Sequence, residues 1–243
     1  MVDILNRQPG KPRYLQTKGI WLRQTFAQAP PPSIGISWKT PVEHSTGAVV
    51  TASYDVLTGD IVGFPICTNT NFGDSMHVIT KSSGTATINT PAQEILKQSG
   101  GQSSIHHCRV TGDGTIVFSI SNPNGVRTVV RPVVLTGCHA SDWVGAEFSE
   151  GSAVNDYTTA AIVSQAALSV FVFVDTEWND LGDMTSTDLL GFYGTVNDAG
   201  GNMSGCFGHK VSTAAAENVT ANMNAGLSSA ADHDMCVVEF LIA

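Results

Sequence analysis

Two histidine and cysteine clusters are the residues best suited to bind a metal ion. His106, His107 and Cys108 are consecutive, and Cys138 and His139 follow later in the chain. Because adjacent residues of a strand point to opposite faces, we expect His106 and Cys108 to share one face and His107 to take the other. Completed by Cys138 and His139, that face would make a zinc site. The alternative, which we favour, is a half-buried strand with one core cysteine and exposed histidines.

A second group of residues with chemical potential is rich in carboxylates. It consists of Asp175, Glu177, Asp180, Asp183 and Asp188, which surround Trp178. Calcium binds several oxygen ligands from one loop, so this stretch is a candidate calcium site, although it lacks the EF-hand spacing. Two of these carboxylates could also serve a glycosidase-like reaction. The simpler interpretation is a solvated acidic loop after a buried strand, and calcium binding stays open.

Two tryptophans complete the set of candidate binding residues. Trp143 and Trp178 are expected to follow strands, where an indole ring stacks on a bound sugar or caps the core of the domain. Both are therefore possible ligand-facing residues, with core packing the simpler interpretation. The sequence contains no G-x-S-x-G elbow, P-loop, H-E-x-x-H motif or Rossmann glycine pattern. We predict a protein that is not an enzyme and has no catalytic residues, cofactor or resident metal.

The five cysteines do not predict a disulfide framework. Their number is odd, their spacing is wide and no pair forms a C-x-x-C motif. We expect reduced thiols in a protein made in a cytoplasm. The sequence also lacks a signal peptide and any apolar run of the roughly 18 residues that a membrane span requires, so we expect no membrane partner.

Charge is distributed unevenly along the chain. Residues 1–39 contain six basic side chains and one acidic side chain, a net charge of +5. The remaining residues contain six basic and 20 acidic side chains, a net charge of −14. An acidic body disfavours nucleic acid as its partner, because phosphates would be repelled. The basic segment can contact either an acidic protein surface or nucleic acid.

The first 41 residues are rich in proline, which removes backbone donors and disfavours a sheet interior. They also carry aromatic side chains that a freely solvated tail rarely has. We interpret residues 1–41 as an extended basic docking arm and residues 42–243 as a β-sandwich domain; an edge strand folded back on that domain is the alternative. The expected docking residues are Tyr14, Trp21, Phe26 and Trp38, with the cations Arg7, Lys11, Arg13, Lys18 and Arg23.

From Gly47 onward, short β-like runs alternate with turn residues. Leu168–Val174 is almost continuously apolar and predicts a central strand. Asp113-Gly114 lies between two β-rich runs and predicts a hairpin, and Pro132 predicts an edge or bulge within residues 127–136. About ten such runs with frequent turn signals predict an all-β, jelly-roll-like antiparallel β-sandwich.

Only two segments are candidates for a helix. They are Ala92–Gln98 and the alanine-rich stretch Thr213–Ala231. The second contains Gly226, three asparagines and no clear apolar stripe, so a loop is an equal interpretation for it.

Three short motifs occur in a suggestive order. They are Thr58-Gly59-Asp60-Ile61-Val62, then His107-Cys108-Arg109-Val110-Thr111-Gly112-Asp113-Gly114-Thr115-Ile116, then Val133-Val134-Leu135-Thr136-Gly137, before an acidic loop and an apolar strand. This order, over about residues 48–175, resembles β-sandwich modules in virion proteins of tailed bacteriophages. The resemblance implies a jelly-roll-like module without catalysis, often trimeric, whose extended N-terminal arm clamps neighbouring subunits.

The resemblance and the arm together favour a non-enzymatic virion structural protein. Because the long fibre region and repeats of a tail fibre are absent, we expect a capsid decoration or cement protein. Its partners would be other capsid or tail proteins and further copies of itself, with a trimer favoured. The alternative is a tail- or fibre-associated protein that binds a host carbohydrate receptor, and a secreted or metal-dependent hydrolase is a third hypothesis.

Overall fold

Strands, turns and irregular segments make up the whole of the described chain. The computed structural model describes residues 13–17, 20–24, 34–44, 47–68, 77–98, 101–121, 127–152, 156–178, 184–195, 203–224 and 232–243, and these ranges contain no helix. The prediction of an all-β fold is therefore confirmed. The chain divides into two compact units, Met1–Ser33 and Ile34–Ala243. The second is called the body below.

The first unit contains one antiparallel pair of strands, β1 (Arg13–Thr17) and β2 (Ile20–Gln24). Arg13 lies opposite Gln24, and Thr17 lies opposite Ile20. These ten residues form a two-stranded antiparallel pair, and the extended arm over residues 1–41 stays a prediction. The role of the segment as a docking arm stays a prediction.

The described residues of the body form 21 strands. The first ten are β3 (Gly35–Trp38), β4 (Val42–His44), β5 (Val49–Val50), β6 (Tyr54–Val56), β7 (Ile61–Thr68), β8 (Ile79–Ser83), β9 (Thr87–Ile88), β10 (Ala92–Gln98), β11 (Gln102–Gly112) and β12 (Gly114–Ile120). The others are β13 (Thr128–Val130), β14 (Val133–Thr136), β15 (Val144–Ser152), β16 (Asp156–Thr158), β17 (Ile162–Val163), β18 (Ser169–Trp178), β19 (Leu190–Thr195), β20 (Met203–Ser212), β21 (Asn218–Val219), β22 (Asn222–Asn224) and β23 (Asp232–Leu241).

The body strands form three antiparallel sheets and two short ribbons. Sheet 1 has the order β10-β11-β7-β13-β4, with β14 between β7 and β3 and with β9 on β11. Sheet 2 has the order β5-β12-β6, with β8 also paired to β12, and sheet 3 has the order β15-β23-β18-β20-β19. The ribbons are β16-β22 and β17-β21. The architecture is consistent with a β-sandwich, and jelly-roll connectivity stays a prediction.

Three hydrophobic cores separate these layers. Core A joins sheets 1 and 3 and includes Ile61, Cys67, Ile105, Val133, Leu135, Val170, Val172, Val174, Val238 and Phe240. Core B joins sheets 1 and 2 and includes Val62, Phe64, Ile66, Cys108, Val110, Ile116, Phe118 and Ile120. Core C covers the other face of sheet 3 and includes Tyr157, Ile162, Phe171, Phe173, Met184, Val219, Met223 and Met235.

Two strands are buried on both faces because they lie between cores. Every residue of β7 is buried, and successive residues alternate between cores A and B. In β18 the valines enter core A, whereas Phe171 and Phe173 enter core C. Because β18 also pairs with both β20 and β23, the predicted central strand at Leu168–Val174 is confirmed. A strand buried on both faces needs apolar residues at consecutive positions, which explains the uninterrupted run.

The structure corrects one predicted helix. Ala92–Gln98 is strand β10, paired with β11 along its length. Its helix-forming residues carry only a weak local preference, whereas Ile95 packs against core A in the extended conformation. The second candidate, Thr213–Ala231, contains the short strands β21 and β22, and residues 225–231 lie outside the described ranges.

The predicted hairpin at Asp113-Gly114 is also wrong. β11 pairs with β7, β9 and β10 in sheet 1, whereas β12 pairs with β5, β6 and β8 in sheet 2. The chain therefore crosses from one sheet to the other at Asp113, whose carboxylate accepts hydrogen bonds from the backbone N–H and hydroxyl of Thr58, both at 2.6 Å. Gly114 follows with a φ of +148°, a conformation that favours glycine.

The run 127–136 is interrupted at Pro132, but the predicted edge or bulge is not found, because β13 and β14 pair with β7 in one register and with β4 or β3 on their other side. It divides into β13 and β14, with Arg131 and Pro132 between them. Pro132 cannot donate to the ladder, which is consistent with a break at this point.

Phe64 on β7 and Phe118 on β12 connect sheets 1 and 2 through an edge-to-face contact with centroids 4.6 Å apart. We expect Phe64→Ala and Phe118→Ala each to lower the free energy of unfolding by about 3–5 kcal/mol, since both rings are fully buried. The double variant should show a coupling of about 0.5–1.5 kcal/mol in urea denaturation. Leu57→Ala, at a largely exposed side chain, is the control and should change stability by less than about 0.5 kcal/mol. Strictly additive losses would contradict the contact.

Candidate functional site

Two β-bulges bring a pair of carboxylates together at the rim of core A. The register of β10 with β11 shifts between Gln93 and Ile95, and Glu94 occupies that bulge. The register of β15 with β23 shifts between Val144 and Glu147. A bulge redirects side chains that a regular strand would alternate between its faces. Here the bulges lie on edge strands of two stacked sheets, and they place Glu94 beside Glu147.

His107 on β11 holds one of these carboxylates. The indole Nε1–H of Trp143 donates to His107 Nδ1 at 3.3 Å, so Nε2 carries the remaining proton and donates to Glu94 Oε2. The ring is almost fully buried and meets Phe240 edge-to-face. Burial lowers the pKa of His107, with opposition from the charge of Glu147, so the neutral imidazole is the form that these contacts favour.

The bulge in β15 is held by a third carboxylate. Glu239 on β23 is fully buried, and its Oε2 accepts a hydrogen bond from Ala146 N at 2.8 Å. Its Oε1 accepts a hydrogen bond from Gln165 N at 2.9 Å. A Cβ at Gly145 would collide with this carboxylate, so a glycine is required for the close approach.

Glu147 is the group of this site that can exchange a proton near neutral pH. A hydrogen bond with Glu94, partial burial and the like charge of Glu94 raise its pKa to about 7. Two adjacent carboxyl groups cannot both ionise without repulsion, so Glu147 keeps its proton until the pH approaches that value. The arrangement is able to donate or accept a proton, and it also fastens the edge of sheet 1 to the edge of sheet 3.

Trp143 is enclosed by its own chain. The Arg109 guanidinium lies 5.1 Å from the centre of its ring, and His107 meets it edge-to-face. Arg109 is itself fixed, because its Nη1 donates to the carbonyls of His139 at 2.7 Å and Ala140 at 2.6 Å. The ring also packs against core A. These contacts match the core-packing interpretation, and the ligand-facing role of Trp143 stays a prediction.

Trp38 is the one expected docking residue that lies in the body. Strand β3 pairs with β14, so residues 34–41 belong to the body although the sequence suggested a boundary at residue 41. Its Nε1–H donates to His209 Nδ1 at 3.0 Å, and the Arg131 guanidinium lies 4.7 Å from its ring centre. Trp38 therefore fastens sheet 1 to sheet 3 within the body.

The other expected docking and ligand-facing residues fall at or beyond the limits of the described chain. Tyr14, Trp21, Arg13 and Arg23 lie on β1 and β2, of which only the backbone is described. Trp178 is the last residue of β18, and its side chain is not described. Residues outside the described ranges are Arg7, Lys11, Lys18 and Phe26.

The structure separates the candidate zinc ligands. The predicted alternation is confirmed, since Cys108 packs in core B and His107 contacts Phe240 of core A. The expectation that the histidines are exposed is wrong, because His106 and His107 are both buried. Cys138 packs in core A, on the other face of sheet 1 from Cys108. Among the described residues, no group of three or more His, Cys, Asp or Glu side chains could hold a metal ion.

The acidic loop is not assembled as predicted either. Asp175 and Glu177 belong to β18 and are fully buried. Asp188 is bound to Lys210 Nζ at 2.6 Å. Asp180 and Asp183 lie outside the described ranges. Strand β18 continues through Asp175 and Glu177 and buries both, so the interpretation as a solvated loop is wrong for these two residues.

A buried Asp–His pair lies at this end of β18. Asp175 Oδ2 and His233 Nδ1 are 2.7 Å apart, and neither side chain is exposed. The ring of Tyr157 stacks on His233 with centroids 5.6 Å apart. Burial raises the pKa of Asp175, and the charge and hydrogen bond of His233 oppose that shift. The hydrogen bond between them offsets part of the cost of burying two ionisable groups against core C.

All five cysteines are buried free thiols, as the sequence predicts. Burial raises the pKa of Cys108 and of Cys138 to about 12, which keeps both protonated and unreactive.

The comparisons with known proteins give no relative for this chain. No family model, no curated protein and no solved structure matches it. Within the described residues, no helix has the length and apolar character needed to cross a membrane.

We expect a Glu147-dependent loss of stability as pH rises from about 4.5 to about 7. The folded pKa is raised, so proton binding stabilises the folded state, fully below the unfolded value of 4.5 and not above the folded value of about 7. Glu147→Gln does not titrate and should remove this slope, measured as urea midpoints between pH 4 and 8. Glu150→Gln, on the same strand, should retain it. Parallel profiles for the parent protein and Glu147→Gln would contradict the raised pKa of Glu147.

Asp175→Ala should lower the free energy of unfolding by about 3–5 kcal/mol, because it leaves buried His233 without its carboxylate. Asp188→Ala removes a partly exposed ion pair with Lys210 and the hydrogen bonds from Ser186 Oγ and Asn222 N, and it should cost about 1–2 kcal/mol. Denaturant titrations of both variants test this contrast, and equal losses would contradict it.

Proposed function

We propose that this chain is a non-enzymatic structural protein that docks onto a larger assembly through residues 1–33. The assembly we favour is the virion of a tailed bacteriophage, with the chain as a capsid decoration or cement protein. This choice of assembly comes from the sequence resemblance. The docking mechanism follows from the basic charge of residues 1–33 and from the division of the chain after Ser33.

The observation that carries the proposal is a change of charge at a structural boundary. Residues 1–33 contain five basic side chains and one acidic side chain, a net charge of +4. Residues 34–243 contain seven basic and 20 acidic side chains, a net charge of −13. The chain divides into compact units at this position. A small basic unit attached to an acidic body is suited to an acidic partner surface, including the body of a second copy.

The body has the character of a structural module. Its ionisable clusters are engaged with one another, as in Asp175–His233 and Glu94–His107, and its tryptophans at positions 38 and 143 support its own sheets. Docking would then depend on the first unit. Apolar surface of Tyr14, Trp21 and Phe26 would contribute roughly 25 cal/mol per Å² buried, while the arginines and lysines would steer association.

Removal of residues 1–33 should leave a folded body, because all paired strands of the three sheets lie in residues 34–243. Light scattering after size exclusion should give a trimer for the full chain and a smaller species for residues 34–243, with matching near-UV spectra. Particles assembled in the presence of each form should incorporate the full chain and not the truncated one. Incorporation of both forms, or an unfolded truncated body, would contradict the proposal.

Charge reversal provides a milder test. Arg13→Glu with Arg23→Glu changes two cations on β1 and β2 and should weaken incorporation most at low salt, where charges are least screened. Lys39→Glu changes a cation of the body, which contacts Ser37 and Tyr54, and is the matched control. An equal effect of both changes would argue against docking through the first unit.

A further inference from the structure

One face of β11 carries polar side chains in the interior of the body. Gln102, Ser104 and His106 alternate along the strand and are 0%, 1% and 3% exposed. They share the face of Cys108, which lies in core B. Sequence alternation therefore directs three polar residues towards the margin of an apolar core.

Five polar atoms on this face have no hydrogen-bond partner within the described residues. They are Gln102 Oε1 and Nε2, Ser104 Oγ, His106 Nε2 and Gln93 Oε1. Gln93 belongs to the same surface because it lies directly opposite His106 in the register of β10 and β11. Buried polar atoms of folded proteins are normally paired with protein groups or ordered water, so five of them in one row indicate a bound partner.

The opposite face of the same strand shows that loose packing is not the cause. Ser103 Oγ and Thr176 Oγ1 are 2.7 Å apart, and Thr176 Oγ1 also donates to the Gln102 carbonyl at 2.9 Å. The side chains that face core A are thus directly paired. The side chains of Gln93, Gln102, Ser104 and His106 are here called the polar row, and they carry the five atoms that lack a direct partner.

The chemistry of the polar row defines what it can bind. It contains two amides, one hydroxyl and one imidazole, and so it offers both donors and acceptors without a charge. Burial and the neighbouring histidines His77 and His107 lower the pKa of His106 to about 3, which keeps its ring neutral. A neutral oxygen that both donates and accepts complements these groups, whereas an ion would lose its hydration without a counter-charge.

The dimensions favour small molecules. Alternate residues of a strand are about 6.8 Å apart, a distance that one or two bridging waters span. The neighbouring strand β7 presents Phe64 opposite His106 and Ile66 opposite Ser104, so apolar side chains border the middle of the row. Thr68 lies opposite Gln102, and its hydroxyl is already bonded to His77 and to the Gln102 carbonyl.

We propose that the polar row binds a chain of ordered water molecules that bridge Gln102, Ser104, His106 and Gln93 at the margin of core B. These waters contribute to the packing of β10 and β11 against core B. The hydroxyl groups of a polyol could form the same hydrogen bonds. Crystals grown and cooled without any polyol therefore distinguish bound water from a bound polyol.

The first test is a high-resolution crystal structure of the full chain, grown and cooled without glycerol, glycols or sugars. The expected result is discrete water density within hydrogen-bond distance of at least three of the five atoms. Direct pairing of these atoms with protein groups, or density for a larger molecule, would overturn the proposal.

The second test is a double-mutant cycle on the same row. Gln102→Met and Ser104→Ala should each raise the unfolding equilibrium constant by about 5- to 100-fold, because each leaves bridged neighbours unpaired. Their combined effect should be smaller than the product, because the two residues share waters. Ser103→Ala, on the opposite face, should combine with Gln102→Met multiplicatively. A lower unfolding constant for Gln102→Met would show that the amide had no partner and would refute bound water.

Discussion

The structure depends on burial of two sheets on both faces. Sheet 1 separates cores A and B, and sheet 3 separates cores A and C, so their central strands have no face in contact with solvent. Each polar group on those strands must then be paired with another protein group or with ordered water. Three solutions are visible: an ion pair between Asp175 and His233, a hydroxyl pair between Ser103 and Thr176, and the carboxylate of Glu239 on backbone amides.

At the edges of the stacked sheets, polar groups no longer need to be fully buried. β10 and β15 are edge strands, and each contains a bulge that turns a glutamate towards the rim of core A. Charged residues and bulges on edge strands also discourage pairing with another sheet, because they interrupt a regular row of hydrogen-bonding groups. The same feature therefore places Glu94 beside Glu147, whose pKa is raised, and protects the edge of each sheet.

The sequence allowed much of the fold to be predicted but little of the carboxylate site. β7 and β18 were predictable because burial on both faces demands consecutive apolar residues, and the alternation of His106, His107 and Cys108 followed from the pleat. β15 and β20 were missed because glycine and serine interrupt their apolar pattern. Glu94 and Glu147 are distant in sequence and meet only through two bulges, a property without a periodic signal. Gly145 was the one local sequence feature of the site. It is informative only once the close approach of the Glu239 carboxylate is known.

The place of β23 in sheet 3 has a consequence for synthesis of the protein. β23 lies between β15 and β18, although it follows every other strand of that sheet in sequence. During translation, β15 and β18 therefore leave the ribosome with no strand between them. Their apolar residues remain available for incorrect pairing until residues 232–241 emerge. Sheets 1 and 2 contain no strand beyond β14 and are able to form first, so a chaperone that protects nascent chains would act on residues 144–231.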